Sequence, residues 1–115
     1  EFVEFNNELY YISDLGTSNN TDFILALDQA NDIELKFDPS SGGTFTDTFD
    51  IIALTVFDND LYFAMANLTV GGGYLLYRFN NGVPVVVDNS VRLDEIFFSE
   101  MIVYNNRLYF PGREN

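Results

Sequence analysis

The chain has 115 residues, enough for one domain of ordinary size. Five Lys and Arg residues stand against 18 Asp and Glu residues, giving a formal net charge of −13. This acidic balance argues against nucleic acid and anionic membranes as partners, because both require a basic surface. The chain has no Cys and no His, which excludes disulfides, thiol catalysis and every site that needs an imidazole. No apolar stretch approaches the ~20 residues that would predict a membrane-spanning helix.

Three segments of the chain align with one another without gaps. They read FVEFNNELYY from residue 2, LTVFDNDLYF from residue 54 and MIVYNNRLYF from residue 101. Their marker leucines are Leu9, Leu61 and Leu108, which are 52 and 47 residues apart. A period near 50 residues is typical of one four-stranded blade of a β-propeller.

Each aligned segment is predicted to form a tight β-hairpin. An Asn or Asp pair lies between two apolar runs, at 6–7, 58–59 and 105–106. Asn and Asp tolerate the positive φ angles that a two-residue hairpin turn requires. One such pair could arise by chance, whereas three in register with the same Leu-Tyr sequence indicate a repeat. We therefore expect three hairpins in three separate sheets, equivalent positions for the marker leucines, and burial of Leu61.

Further strands complete the first two units. We predict Asp22–Leu27 and Ile33–Phe37 in the first unit, and Gly73–Phe79 and Val83–Val87 in the second. The third strands of both units end 18 residues beyond the marker leucine. Because Pro84 has no N–H group, its strand should lie at the outer edge of the blade.

The apolar run Leu61–Ala66 shows no polar alternation, so both faces of this strand should be buried. In a propeller, each blade packs between two neighbouring blades, which would bury both faces of this strand. In an immunoglobulin-like sandwich, one face of each sheet is exposed to solvent, so a propeller explains the apolar run better. No helix is predicted, and we interpret 94–100 as a linker or the entry to a strand.

The predicted fold class is all-β and propeller-like, with two four-stranded antiparallel blades and the first hairpin of a third. The predicted boundaries are blade 1 at about 2–38, a linker at 39–50, blade 2 at 51–88, a linker at 89–95 and partial blade 3 at 96–115. Since propellers have about four to eight blades, we expect this chain to belong to a longer protein or a self-assembling ring. Its outward sheet faces should be apolar.

The second unit resembles the repeat of exported bacterial proteins named for the motif E-L-W-x-x-D-G-T-x-x-G-T. Leu54–Ala64 matches a typical stretch of that repeat, L-T-V-F-N-G-K-L-Y-F-S-A, and Gly73–Arg78 resembles its G-x-E-L-W-R strand. The segment 37–42 resembles its D-x-x-P-G-S linker, but the D-G-T-x-x-G-T half is absent after Arg78. The resemblance implies a propeller segment of a large exported or cell-surface protein, and it implies no catalytic residue.

Candidate sites were weighed against simpler structural roles. Asp58 and Asp60 flank a turn and are interpreted as solvated, and no carboxylate pair stands out as a glycosidase pair. Asp14, Asn19, Asn20 and Asp22 could supply oxygen ligands to Ca²⁺, but they lack the spacing of known Ca²⁺ loops and fit a polar connection. Gly71–Gly73 is interpreted as a loop, since no Lys or helix follows it as in a phosphate loop.

Six tyrosines could stack sugars if they were exposed, but packing between blades explains strand tyrosines better. They are Tyr10, Tyr11, Tyr62, Tyr74, Tyr77 and Tyr109. The sequence therefore predicts no catalytic residue, no cofactor-binding residue and no metal ligand.

The predicted function is that of a non-enzymatic interaction or scaffold segment. Its expected partners are further blades of the same polypeptide or other protein subunits, with a glycan as a further possibility. The alternatives are a non-catalytic part of an exported enzyme and a carbohydrate-binding propeller that uses exposed Tyr.

Overall fold

The computed structural model describes residues 2–14, 21–39, 48–80, 82–93, 101–110 and 112–114. Every regular element within these residues is a β-strand, which confirms the all-β class. The twelve strands are β1 (Phe2–Phe5), β2 (Glu8–Asp14), β3 (Asp22–Leu27), β4 (Ile33–Phe37), β5 (Phe49–Phe57), β6 (Asp60–Asn67), β7 (Leu75–Asn80), β8 (Val83–Val86), β9 (Val91–Leu93), β10 (Ile102–Tyr104), β11 (Arg107–Tyr109) and β12 (Gly112–Glu114).

Two four-stranded sheets follow the chain order. Sheet A has the order β1-β2-β3-β4 and sheet B the order β5-β6-β7-β8, and all their pairings are antiparallel. Strands β10 and β11 form a separate hairpin, here called the third hairpin. The two predicted four-stranded units and the separate third hairpin are therefore confirmed. Strand β8, which carries Pro84, lies at an edge of sheet B as expected.

The three predicted hairpin turns are confirmed by their backbone angles. Both central residues have positive φ in every turn: Asn6 (52°), Asn7 (62°), Asp58 (51°), Asn59 (62°), Asn105 (53°) and Asn106 (60°). Two consecutive positive φ angles define the type I′ turn, whose twist matches that of the flanking strands. The Asn and Asp residues are therefore present because other side chains adopt this conformation at a higher cost.

The marker leucines occupy equivalent positions in the three hairpins. Each is the second residue after its turn and pairs across the ladder with the second residue before it: Glu4 with Leu9, Val56 with Leu61 and Val103 with Leu108. Leu61 is fully buried, as predicted, whereas Leu9 is 40% exposed. The two leucines differ in exposure because Leu61 lies in the interface between sheets A and B, whereas Leu9 lies on the face of sheet A that points away from sheet B.

Sheets A and B pack face to face around the larger core cluster. Tyr10, Ile24 and Ala26 contribute from sheet A, and Leu61 and Phe63 contribute from sheet B. Aromatic rings hold this interface together, because the rings of Phe37 in sheet A and Phe63 in sheet B lie 5.9 Å apart. The marker leucine of the second unit thus faces the first unit.

The opposite face of sheet B packs against the third hairpin. Ala64, Ala66 and Leu76 of sheet B form a second buried cluster, with Met101 and the half-buried Leu108 packed against them. The marker leucine of the third unit therefore faces the second unit. Strand β6 is covered on both sides, which confirms the expectation drawn from its unbroken apolar run.

A β-bulge in β5 directs two consecutive residues, Ile52 and Ala53, toward the second cluster. Ile52 pairs with Ala64 and Thr55 with Tyr62, so two residues of β5 oppose one residue of β6. Within the bulge, Ala53 has a φ angle of 63° and packs in the second cluster. Leu54 returns to the first cluster. The bulge thus interrupts the two-residue alternation of an ordinary strand.

Four boundaries differ from those predicted. Strand β5 begins at Phe49, inside the predicted linker 39–50, and β8 ends at Val86 instead of Val87. Strand β7 begins at Leu75 instead of Gly73, because Gly71, Gly72 and Gly73 have φ angles of 86°, 100° and 83° that interrupt an extended strand. The predicted linker 89–95 contains β9, which pairs with β12. The segment 94–100, predicted as a linker, lies outside the described residues.

Candidate functional site

Asp22, one of the possible Ca²⁺ ligands, joins the two sheets instead. Its Oδ2 atom accepts a hydrogen bond of 2.9 Å from the backbone N–H of Ile51, and the buried Thr21 accepts one of 3.4 Å from the N–H of Phe49. Asp14 lies opposite Asp22 in the ladder, while Asn19 and Asn20 lie outside the described residues. Among the residues that the structure describes, no three acidic side chains are grouped so as to hold a metal ion.

The carboxylates at the second turn lie at the surface. Asp58 is exposed, and the Oδ2 atom of Asp60 lies 3.9 Å from Nη1 of Arg78. Both side chains of this ion pair are partly solvated, so its contribution to stability is small. The geometry agrees with the interpretation of a solvated turn.

The strand tyrosines divide into packed and exposed groups. Tyr10 and Tyr74 are buried, and the ring of Tyr77 stacks on Phe63 at 5.5 Å with an interplanar angle of 8°. Tyr74 donates a hydrogen bond to Asp50. Tyr109 is exposed beside Tyr104, with 6.3 Å between ring centroids. Packing between units is therefore confirmed for Tyr10 and Tyr74, which lie in the two buried clusters. Tyr77 stacks on its cross-strand neighbour within sheet B, and Tyr109 is exposed.

A cleft of about 240 Å³ opens between sheets A and B at the end that carries the hairpin turns. Its lining combines aromatic rings with polar turn residues, and half of it comes from each sheet. The lining residues are Phe5, Asn6, Tyr10 and Lys36 from the first unit, and Asn59, Asp60, Phe79 and Gly82 from the second. We call this the first interunit cleft.

Lys36 is the cationic group of the first interunit cleft, and two carboxylates neutralise it. Its Nζ atom donates to Glu8 Oε1 at 3.1 Å and to Glu34 Oε2 at 3.2 Å. The same ammonium group lies 5.7 Å from the centroid of the Tyr10 ring, within the range of a cation–π interaction. The other oxygen of Glu8, Oε2, is buried and accepts no hydrogen bond from the described residues.

These contacts shift two pKa values in the same direction. Burial alone would lower the pKa of Lys36, but hydrogen bonds to Glu8 and Glu34 outweigh it and raise the pKa above 10.5. Burial raises the pKa of Tyr10 above 10.0, with Lys36 opposing part of this effect. Both groups are therefore held in their protonated forms in the folded chain.

Alkaline pH should destabilise the fold through these two groups. A folded-state pKa above the unfolded value stabilises the fold at neutral pH, and this stabilisation is lost as pH rises through the folded-state pKa. The free energy of unfolding should thus fall above about pH 10, as measured by urea titration up to about pH 11. Lys36→Met should lower the free energy of unfolding at neutral pH. It should also reduce the decrease in that free energy at alkaline pH. An alkaline slope identical in both proteins would contradict this assignment.

A second cleft lies between sheet B and the third hairpin. It has a volume of about 340 Å³ and is lined by Val56, Phe57, Asp58, Val103 and Asn106. Phe57 and Asp58 are equivalent to Phe5 and Asn6 of the first interunit cleft by the gap-free alignment. We call this the second interunit cleft.

The described residues include no helix long and apolar enough to cross a membrane. No protein-family model, curated protein or solved structure matches the chain.

Proposed function

We propose that the chain is a non-enzymatic scaffold or interaction segment of a larger β-propeller protein, exported to or displayed on a bacterial surface. The observation that carries this proposal is the exposed apolar outer face of sheet A. Phe2 is 65% exposed, Ile33 64% and Leu35 53%. Exposed apolar surface of this kind is typical of an interaction site.

The ladder registers place these residues on one face. Tyr11 pairs with Phe2 and Leu25, and Leu25 pairs with Leu35, so these four side chains form one row across the sheet. Glu4, Leu9, Leu27 and Ile33 form the next row. Ile24 and Ala26 point the other way, into the interface with sheet B. The outer face of sheet A therefore carries two rows, apolar except for Glu4, that sheet B does not cover. Leu25 is buried in the middle of this face, and the exposed apolar side chains lie toward its edges.

The repeat identifies what would cover this face. Leu61 lies in the interface with sheet A, and Leu108 packs against sheet B, so each marker leucine faces the unit before it. Leu9 is the equivalent residue of sheet A and lies on the outer face. A further four-stranded sheet of the same repeat, placed before the first unit, would cover Leu9 as the first unit covers Leu61. It would belong either to the same polypeptide or to another copy of the chain.

The third hairpin offers the complementary surface. Ile102, Tyr104 and Tyr109 are exposed and alternate with Val103 and Leu108. Contact between this side of one copy and the outer face of sheet A in another would be head-to-tail, which closes a ring or extends as a filament. The resemblance to exported bacterial repeats, the acidic surface and the absence of Cys support a place outside the cell.

Two other functions would use the same fold. The chain could be a non-catalytic part of an exported enzyme, or a carbohydrate-binding propeller. The pair Tyr104 and Tyr109 is exposed, as sugar stacking requires, but the two rings are inclined at 56° to each other and do not form a flat platform.

A charge placed on the outer face tests the scaffold proposal. Leu35→Glu should weaken association with the covering sheet, lowering the average molar mass in sedimentation velocity, because burying an unpaired carboxylate is costly. Val70→Glu is the matched control, since it adds the same charge at an exposed turn position away from this face. Equal molar masses for Leu35→Glu and the unsubstituted chain would mean that the face stays in water, against the proposal.

A further inference from the structure

The two interunit clefts share three equivalent positions of the repeat in their linings. Each contains the aromatic residue before one turn, the first residue of that turn, and the second residue of the next turn along the chain. In the first cleft these are Phe5, Asn6 and Asn59, and in the second they are Phe57, Asp58 and Asn106. The positive φ angles of the turns explain their Asn and Asp residues, but they do not require that an aromatic residue and two turns border a cleft between each pair of neighbouring units.

The charges of the clefts disfavour an anionic ligand. In the first cleft, Lys36 is paired with Glu8 and Glu34, and Asp60 lies beside Arg78. Among the described residues, the second cleft is lined by one carboxylate, that of Asp58, and by no basic side chain. Neither lining is basic enough for a phosphate, and the group common to both clefts is the neutral amide of the second turn residue.

The chemistry that both clefts share matches a sugar. An Asn amide both donates and accepts hydrogen bonds, as does each hydroxyl group of a sugar. The ring of Phe5 or Phe57 offers an apolar surface for the C–H face of the sugar ring. A cavity of about 150 Å³ holds benzene, so clefts of about 240 and 340 Å³ have room for one substituted six-membered ring each.

We propose that the two interunit clefts are equivalent binding sites for single rings of a neutral saccharide. The sites lie on the two sides of sheet B at the turn end of the sheets, and each takes one sugar ring. The type I′ turns fix the backbone that carries Asn59 and Asn106, which reduces the ordering cost of binding. This inference is independent of the scaffold proposal, because it concerns the turn end and not the outer face of sheet A.

Replacement of turn asparagines by Gly tests the proposal without disturbing the fold. Gly adopts the positive φ of the second turn position readily, so Asn59→Gly and Asn106→Gly each remove one amide and keep the turn. Asn7→Gly is the matched control, because Asn7 has the same turn position but lines neither interunit cleft. The intact polypeptide would be titrated with maltotriose, cellotriose and chitotriose, using saturation-transfer NMR and calorimetry.

We expect one or more of these trisaccharides to bind in the millimolar range or tighter. Asn59→Gly or Asn106→Gly should each weaken binding at least tenfold at one of two sites, the double variant should abolish it, and Asn7→Gly should leave it unchanged. No binding of any of the three, or binding unaffected in the double variant, would overturn the proposal. Binding of inorganic phosphate or spermine at these clefts in place of the sugars would overturn it equally.

Discussion

Replacing Leu61 with Ala is expected to lower the free energy of unfolding by about 2–5 kcal/mol. Leu61 is fully buried between sheets A and B, and the cavity left behind would lie in an interface made of large aromatic and aliphatic side chains. Phe63, on the same face of β6, is held by its ring contact with Phe37, so it should not move to fill the cavity. The surrounding side chains should therefore recover little of the packing energy that the substitution removes.

Leu68→Ala provides the control for this substitution. Leu68 has the same side chain but is 53% exposed in a turn after β6, so its replacement should cost well under 1 kcal/mol. Urea unfolding of both variants at one protein concentration gives the comparison, since association would change the apparent stability. Equal stability losses at Leu61 and Leu68 would contradict the packing of sheet A on sheet B.

The local features of the fold were predictable from the sequence. A two-residue turn demands positive φ at both positions, and Asn6, Asn59 and Asn105 are residue types that meet this demand. The turn then sets the register, so the position of each marker leucine follows from counting two residues beyond it. The bounds of β3 and β4 followed from short apolar runs between polar segments.

The features that were missed depend on contacts between distant residues. Lys36 lies 28 positions from Glu8 in the sequence, and only the pairing of β2, β3 and β4 brings the two side chains together. The bulge at Ala53 places two consecutive residues against the third hairpin's cluster, and no local preference of Ala indicates a positive φ. The three residues of β9 are too few to show any periodicity.

The sequence predicts the turn residues that line the candidate clefts, but it does not predict the clefts themselves. The alignment identified the turn residues but assigned them a purely structural role, since a turn explains Asn equally well. Lateral packing of the units is what places Asn59 of one turn opposite Asn6 of another. The aromatic residue before each turn was part of the repeat pattern, and its repeated position was the one available signal of a recurring cleft.

The molar mass of the folded 115-residue polypeptide should exceed that of one chain. Sheet B is covered on both faces, whereas the outer face of sheet A exposes Phe2, Ile33 and Leu35 to solvent. At about 25 cal/mol per Å² of apolar surface removed from water, covering such a face strongly favours association. The surfaces are repeats of one pattern, so copies of the chain can supply the missing neighbour to one another.

Light scattering on this polypeptide, combined with thermal unfolding, would show whether the three units are equivalent members of a stack of sheets that needs further sheets at its ends. In that case the polypeptide should have a mass of two or more chains, or should be a single chain that unfolds without cooperativity. A folded monomer that melts in one cooperative transition would contradict this arrangement, and with it the assignment of the chain to a propeller.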